Sequence, residues 1–162
     1  MNNSKQLYIW LLFRLCMGWL LLWAFLDKLW GLGFSTSPDK SWLSGNSPTL
    51  GYLKSATGPL ASLYQSIAGH PVTDFLFMFG LLCVGVALIL GIGIRIAGYS
   101  GALIMFLMWS SHFPPAQNPF LDDHIIYILV FIGLTFSSAG DMWGLGTWWS
   151  KTGLVKKLPW LR

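Results

Sequence analysis

The 162-residue chain is 54% hydrophobic and only 10% charged, against about 25% charged in ordinary soluble domains, which excludes a conventionally solvated globule and points to a membrane protein. Its net charge of +4 rests mostly on terminal Lys and Arg, so the basic balance suits a cytoplasmic membrane face rather than nucleic acid. Two cysteines, Cys16 and Cys83, both in apolar runs and without a Cys-x-x-Cys, suit neither a disulfide framework, a zinc site nor a thiol-disulfide enzyme. They read as packing residues near mid-bilayer.

In chain order, the first predicted span covers 7–26, carries Arg14 inside it, and ends on Asp27-Lys28. An ionised side chain in such a run costs about 2.5–3.5 kcal/mol at the bilayer centre on insertion scales, so the helix must turn it towards partners or substrate. Lys5 alone is a thin basic prelude and no small-x-small site follows Leu26, so the first span is expected to be retained rather than cleaved. Residues 28–73 form a loop too long for a connector. Within it, Ser47-Pro48 reads as a helix start, and Leu60, Leu63, Tyr64 and Ile67 as one apolar face. One or two short helices are expected there, lying along the outer interface or over the mouth of the helices.

The second span is predicted over 75–94, between Asp74 and Arg95, and the third over 96–113, stopped by Pro114-Pro115. With only Arg95 between them these form a hairpin, and Ala97, Gly98, Gly101 and Ala102 let neighbouring helices approach closely. The fourth span is predicted over 124–139, with Asp122 or Asp123 as N-cap. The tail, 140–162, sets Trp143, Trp148, Trp149 and Trp160 beside lysines, the composition of an interfacial segment. The expected fold is therefore all-α: a single-domain integral membrane four-helix bundle with a long outward-facing first loop containing short helices. Lys5, Arg95, Lys151, Lys156, Lys157 and Arg162 fall on one side and Lys28, Lys40 and Lys54 on the other. The positive-inside rule then places both termini in the cytoplasm of a multi-pass cell-membrane protein.

That topology brings Asp27, Lys28, His112, Asp122, Asp123 and His124 to one membrane face. Carboxylates beside imidazoles can pass protons, and an intramembrane-edge cluster of acids and bases is a functional candidate. The plainer alternative has the Asp pair capping a helix and Asp27-Lys28 snorkelling to headgroups. Arg14 is either an anion or carbonyl clamp or a tie between helices, with Tyr99, Ser100, Thr135, Ser137 and Asp141 as polar groups at its depth. The rings of ten Trp, eleven Phe and five Tyr suit a quinone, or simply the aromatic belt of a multi-span protein. His112 and His124 sit too near their span ends for a haem pair, and they lack the i, i+3 or i, i+4 spacing of many metal sites. No haem or metal is expected.

The run Arg14-Leu15, Gly18 and Trp23-Ala24-Phe25-Leu26-Asp27-Lys28-Leu29 resembles the first helix of the DoxX family. Gly45-Asn46-Ser47-Pro48-Thr49, Gly91-Ile92-Gly93-Ile94-Arg95 and Asn118-Pro119-Phe120-Leu121-Asp122-Asp123-His124 extend the likeness over nearly the whole chain. The resemblance implies four membrane helices. In its DoxD branch it also implies the membrane subunit of a thiosulfate:quinone oxidoreductase, and the absence of a DoxA-like domain here then calls for a separate partner subunit. On this reading the chain is a quinone-interacting subunit of a redox complex. Asp27, Asp123, His112 and His124 are its proton-competent catalytic groups, and Arg14, Lys28 and Asp122 bind substrate. The alternative is a non-catalytic scaffold that recruits a soluble redox or detoxification enzyme; a carrier is disfavoured without inverted repeats. Expected partners are the bilayer and either another subunit or further copies of the chain.

Overall fold

The first apolar run folds as one helix, α1 (Asn3–Trp30), longer at both ends than the predicted span. It stops because Gly31 takes φ +68° and donates its N–H to the Asp27 carbonyl at 2.7 Å. A Cβ at Gly31 would stand 2.5 Å from Pro38 Cα, so the chain reverses there against itself. Two short helices follow, α2 (Leu50–Lys54) and α3 (Ala61–Ser66), as the long loop required. Their details differ from the prediction. The expected Ser47-Pro48 start becomes a turn, with α2 beginning at Leu50 and Ser47 Oγ accepting from Leu50 N at 3.0 Å. Of the expected apolar face only Tyr64 is buried, and Leu60, Leu63 and Ile67 lie exposed. These elements belong to the computed structural model, which describes residues 3–116 and 118–161.

Pro71 at the first helical position and the His70 side chain, which accepts from Val72 N at 3.3 Å, open α4 (Pro71–Leu90). This helix begins and ends four residues before the predicted span. Gly91, at φ +75°, is its left-handed cap, and Gly93, at φ +58°, precedes α5 (Ile94–Ser111). The hairpin is thus built by two glycines, and Arg95 lies inside the first turn of α5 rather than between the helices. Asp122 is the cap of α6 (Asp123–Phe136), accepting from His124 N at 3.0 Å and Ile125 N at 3.3 Å. Beyond a 3₁₀ turn at Ala139–Asp141 come α7 (Gly146–Ser150) and α8 (Gly153–Lys157). Arg162, counted above among the basic residues, lies outside the described residues.

Among the described residues every regular element is helical, and the four long helices pack side by side. Helix α1 lies against α4 and α6, and α5 lies against α4 and α6. Small residues set the spacing. A Cβ at Gly85 would come within 2.8 Å of Leu22 N, and one at Gly101 within 2.5 Å of the Phe131 ring. Met17, Leu21, Met78, Leu81, Leu88 and Phe131 fill the space between. All four helices nevertheless turn large apolar side chains outward, such as Leu12, Leu76, Leu107 and Leu129. Helix α1 (over Lys5–Trp30) and α4 are long and apolar enough to cross a membrane, which points to membrane association. Cys16 and Cys83 sit on these exposed flanks rather than in the packing as expected.

Candidate functional site

Two buried aspartates hold the first loop over the ends of the helices. Asp27, on the last turns of α1 and 1% exposed, accepts from Phe34 N at 3.2 Å, Ser35 N at 3.0 Å and Ser35 Oγ at 2.7 Å. Asp74, in the first turn of α4 and 6% exposed, accepts from Ser47 Oγ at 2.8 Å and from both the N–H and the hydroxyl of Thr49. Each carboxylate is thereby solvated by a turn rich in hydroxyls, as a buried charge requires. The loop's far half is tied to the end of α5: Thr57 N donates to Ser111 O, Tyr52 Oη to Met108 O, and Tyr64 Oη pairs with Ser110 Oγ at 2.6 Å.

Between this roof and the outer sides of α4 and α5 lies a cleft of about 720 Å³. Its walls are Leu76, Phe77, Leu103, Ile104, Leu107 and Met108; its roof presents Ser35, Thr36, Ser47, Thr49 and Tyr52. Lys28 and Lys40 stand in the lining, which among the described residues contains no Asp, Glu or His. Packing of the loop around Tyr52 raises its phenol above the ordinary tyrosine value. An apolar slot with a few convergent polar groups is the usual form of a small-molecule site.

The predicted site residues are dispersed relative to this cleft. Lys28 lines it. Asp27 stands behind the roof, saturated by the loop. His112 caps α5, with Nδ1 2.9 Å from Ser111 Oγ and Nε2 3.3 Å from Ser55 Oγ, and its ring lies 4.6 Å from that of Tyr52. His124 pairs with Asp122, Nδ1 to Oδ2 at 2.8 Å, while Asp123 is exposed on the first turn of α6. Among the described residues no hydrogen bond or ion pair joins Asp27, His112 and the Asp122–His124 pair, and no group of three such ligands could hold a metal. Asp74 was missed. Its signal was an acid at the head of a span, opposite a Ser-Pro-Thr turn.

Arg14 lies far from the cleft, at the end of the helices where the termini emerge, and is fully buried. Its Nη2 donates to Met142 O at 3.2 Å and Trp143 O at 3.0 Å, whereas Nε and Nη1 find no acceptor among the described residues. Nη1 is walled in by backbone: a Cβ at Gly91 would stand 2.0 Å from it and one at Gly144 2.7 Å. Arg14 therefore ties α1 to the chain reversals that follow α4 and α6, at the carbonyl-rich end of α4 where a cation is favoured. Its expected polar neighbours Tyr99, Ser100, Thr135, Ser137 and Asp141 instead line a second cavity of about 730 Å³ between α5 and the tail, which Arg14 does not enter.

The chain matches no protein-family model, no curated protein and no solved structure.

Proposed function

We propose that the chain is a four-helix, multi-pass membrane protein whose termini face the cytoplasm, and that it serves as the quinone-interacting subunit of a membrane redox complex. The observation that carries this reading is the cleft. It is apolar along α4 and α5, polar under the loop, and beside helix faces that expose Leu76, Leu103 and Leu107. An isoprenoid amphiphile fits that gradient, its tail along the helices and its ring beneath the roof. Bound there, a quinone supplies two-electron, two-proton chemistry. Lys28 is the residue that donates to and orients a carbonyl. His112, outside the lining but with its ring tilted against that of the cleft residue Tyr52 at 4.6 Å, is the member of the predicted set to which we assign the proton. The likeness to the DoxX family supports a reduced sulfur anion such as thiosulfate as donor, oxidised by a separate partner subunit.

Calorimetric titration of the purified protein with a short-chain ubiquinone or menaquinone analogue tests this. Saturable binding that is lost in Ile104→Trp, which fills the cleft, supports the reading, and no binding to the wild type removes it. A second reading is favoured by one observation: Asp27, His112 and His124 each satisfy themselves locally instead of forming a relay. In that case the ordered loop is a scaffold for a soluble enzyme. A purified protein with a silent redox titration and no co-purifying quinone would select it.

A further inference from the structure

Two lysines line the cleft, and most of its roof hydroxyls have already committed their protons. Ser35 gives its hydroxyl proton to Asp27, Ser47 and Thr49 give theirs to Asp74, and Tyr52 to Met108 O. Ser110 Oγ donates to Leu107 O, which leaves Tyr64 as the donor in its bond to Ser110. These roof hydroxyls therefore offer lone pairs more than protons to a ligand. Lys28 and Lys40 supply the strong donors, and among the described residues neither ammonium lies within 4 Å of a carboxylate. Lys28 and the exposed Lys40 face a largely apolar slot with no acid among the described residues of its lining, their acidic chain neighbours Asp27 and Asp39 lying outside it. An anion entering the slot therefore has two ammonium groups to meet it.

We propose that the cleft takes a membrane lipid with an anionic headgroup, its phosphate between Lys28 and Lys40 and one acyl chain along Leu76, Leu103 and Leu107. The inference rests on the reading of the cleft as an amphiphile site and adds to it the charge of the head: such a lipid competes with a neutral quinone and sets how much of the site is open to it. The apolar wall lies on the exposed side of α4 and α5, so a chain enters from the hydrocarbon without crossing the protein.

The test is native mass spectrometry of the detergent-purified protein titrated with phosphatidylglycerol and phosphatidylcholine of identical chains. Phosphatidylglycerol is expected to bind at least about tenfold tighter, the size of one charge-assisted hydrogen bond at a partly wet mouth. Lys28→Gln/Lys40→Gln should abolish that preference, whereas Lys28→Arg and Lys54→Gln, a loop lysine outside the lining, should retain it. Equal binding of the two lipids, or an unchanged preference in the double variant, overturns the inference. So does displacement of phosphatidylglycerol by equimolar inorganic phosphate, because the tail would then contribute nothing. A short-chain quinone analogue titrated in parallel separates the two claims. Quinone binding without a lipid preference leaves the function standing and removes this inference, while absence of both ligands removes both.

Discussion

The two ends of the helices solve the same problem, a buried charge, in opposite ways. At the terminus end the charge is a cation, Arg14, and it is met by carbonyls of reversing backbone packed so tightly that Gly91 and Gly144 have no room for a Cβ. At the loop end the charges are carboxylates, Asp27 and Asp74, and they are met by amides and hydroxyls of turns that arch over open space. Two carbonyls hold the Nη2 side of the guanidinium and close-packed glycine backbone walls in Nη1, whereas a hydroxyl-bearing loop is held away from the helices by its anchors and leaves a cleft beneath. The first arrangement secures the fold and the second shapes a site.

If that contrast holds, the largest effect belongs to the closed end. Arg14→Met should lower stability by about 3–5 kcal/mol, because two buried carbonyls lose their donor and the guanidinium volume is vacated. Thermal unfolding in detergent, followed by circular dichroism, measures it. Arg14→Lys keeps the charge but loses the fork, and should fall between the two. Gly91→Ala should cost about 2–4 kcal/mol, combining left-handed strain at φ +75° with overlap on Arg14 Nη1. A mild effect at either position would mean that the terminus end is loose, and the contrast would fail.

At the open end the effects should be smaller and local. Asp27→Asn and Asp74→Asn are each expected to cost about 1.5–3 kcal/mol, the range for hydrogen bonds to a charged group. The loss should appear as faster hydrogen exchange at Phe34 and Ser35 in the first variant and at Thr49 in the second, with the helices unchanged. Exchange that rises throughout α1 and α4 would make these aspartates part of the core rather than anchors of a roof.

How much of this was legible depends on the range of the interaction. The long helices follow from apolar runs and from breakers next to them, so α1, α4, α5 and α6 lie close to the predicted spans. Ala97, Gly98, Gly101 and Ala102 marked a close-packed face, and Gly98 and Gly101 do meet Thr135 and Phe131 on α6. Where a glycine's dihedral decides, the sequence misled: Arg95 looked like the break, whereas Gly91 and Gly93 make it. The site was less legible still. Asp27, His112 and His124 share an end of the molecule, as topology required, but each finds a partner close at hand before it could reach the others. Asp27 bonds to a turn seven and eight residues on, and His124 to Asp122. The Asp74 anchor joins residues 25 and 27 apart, a pairing that no local pattern encodes.

The smallest effect tests the far half of the roof. Tyr52→Phe removes the bond to Met108 O and should cost about 1 kcal/mol near neutral pH, the usual net value for a neutral hydrogen bond. Burial raises the Tyr52 phenol above its ordinary value near 10, so the folded chain holds that proton more tightly than the unfolded chain does. The contribution is complete below the unfolded value and is lost as pH climbs through the folded one. Wild type should therefore exceed Tyr52→Phe in melting temperature at pH 8, and its advantage should shrink towards pH 11. Subtracting the variant cancels the other tyrosines, which titrate in both proteins. A gap that stays constant across that range would mean the phenol is not desolvated, and that the loop does not close over this side of the cleft.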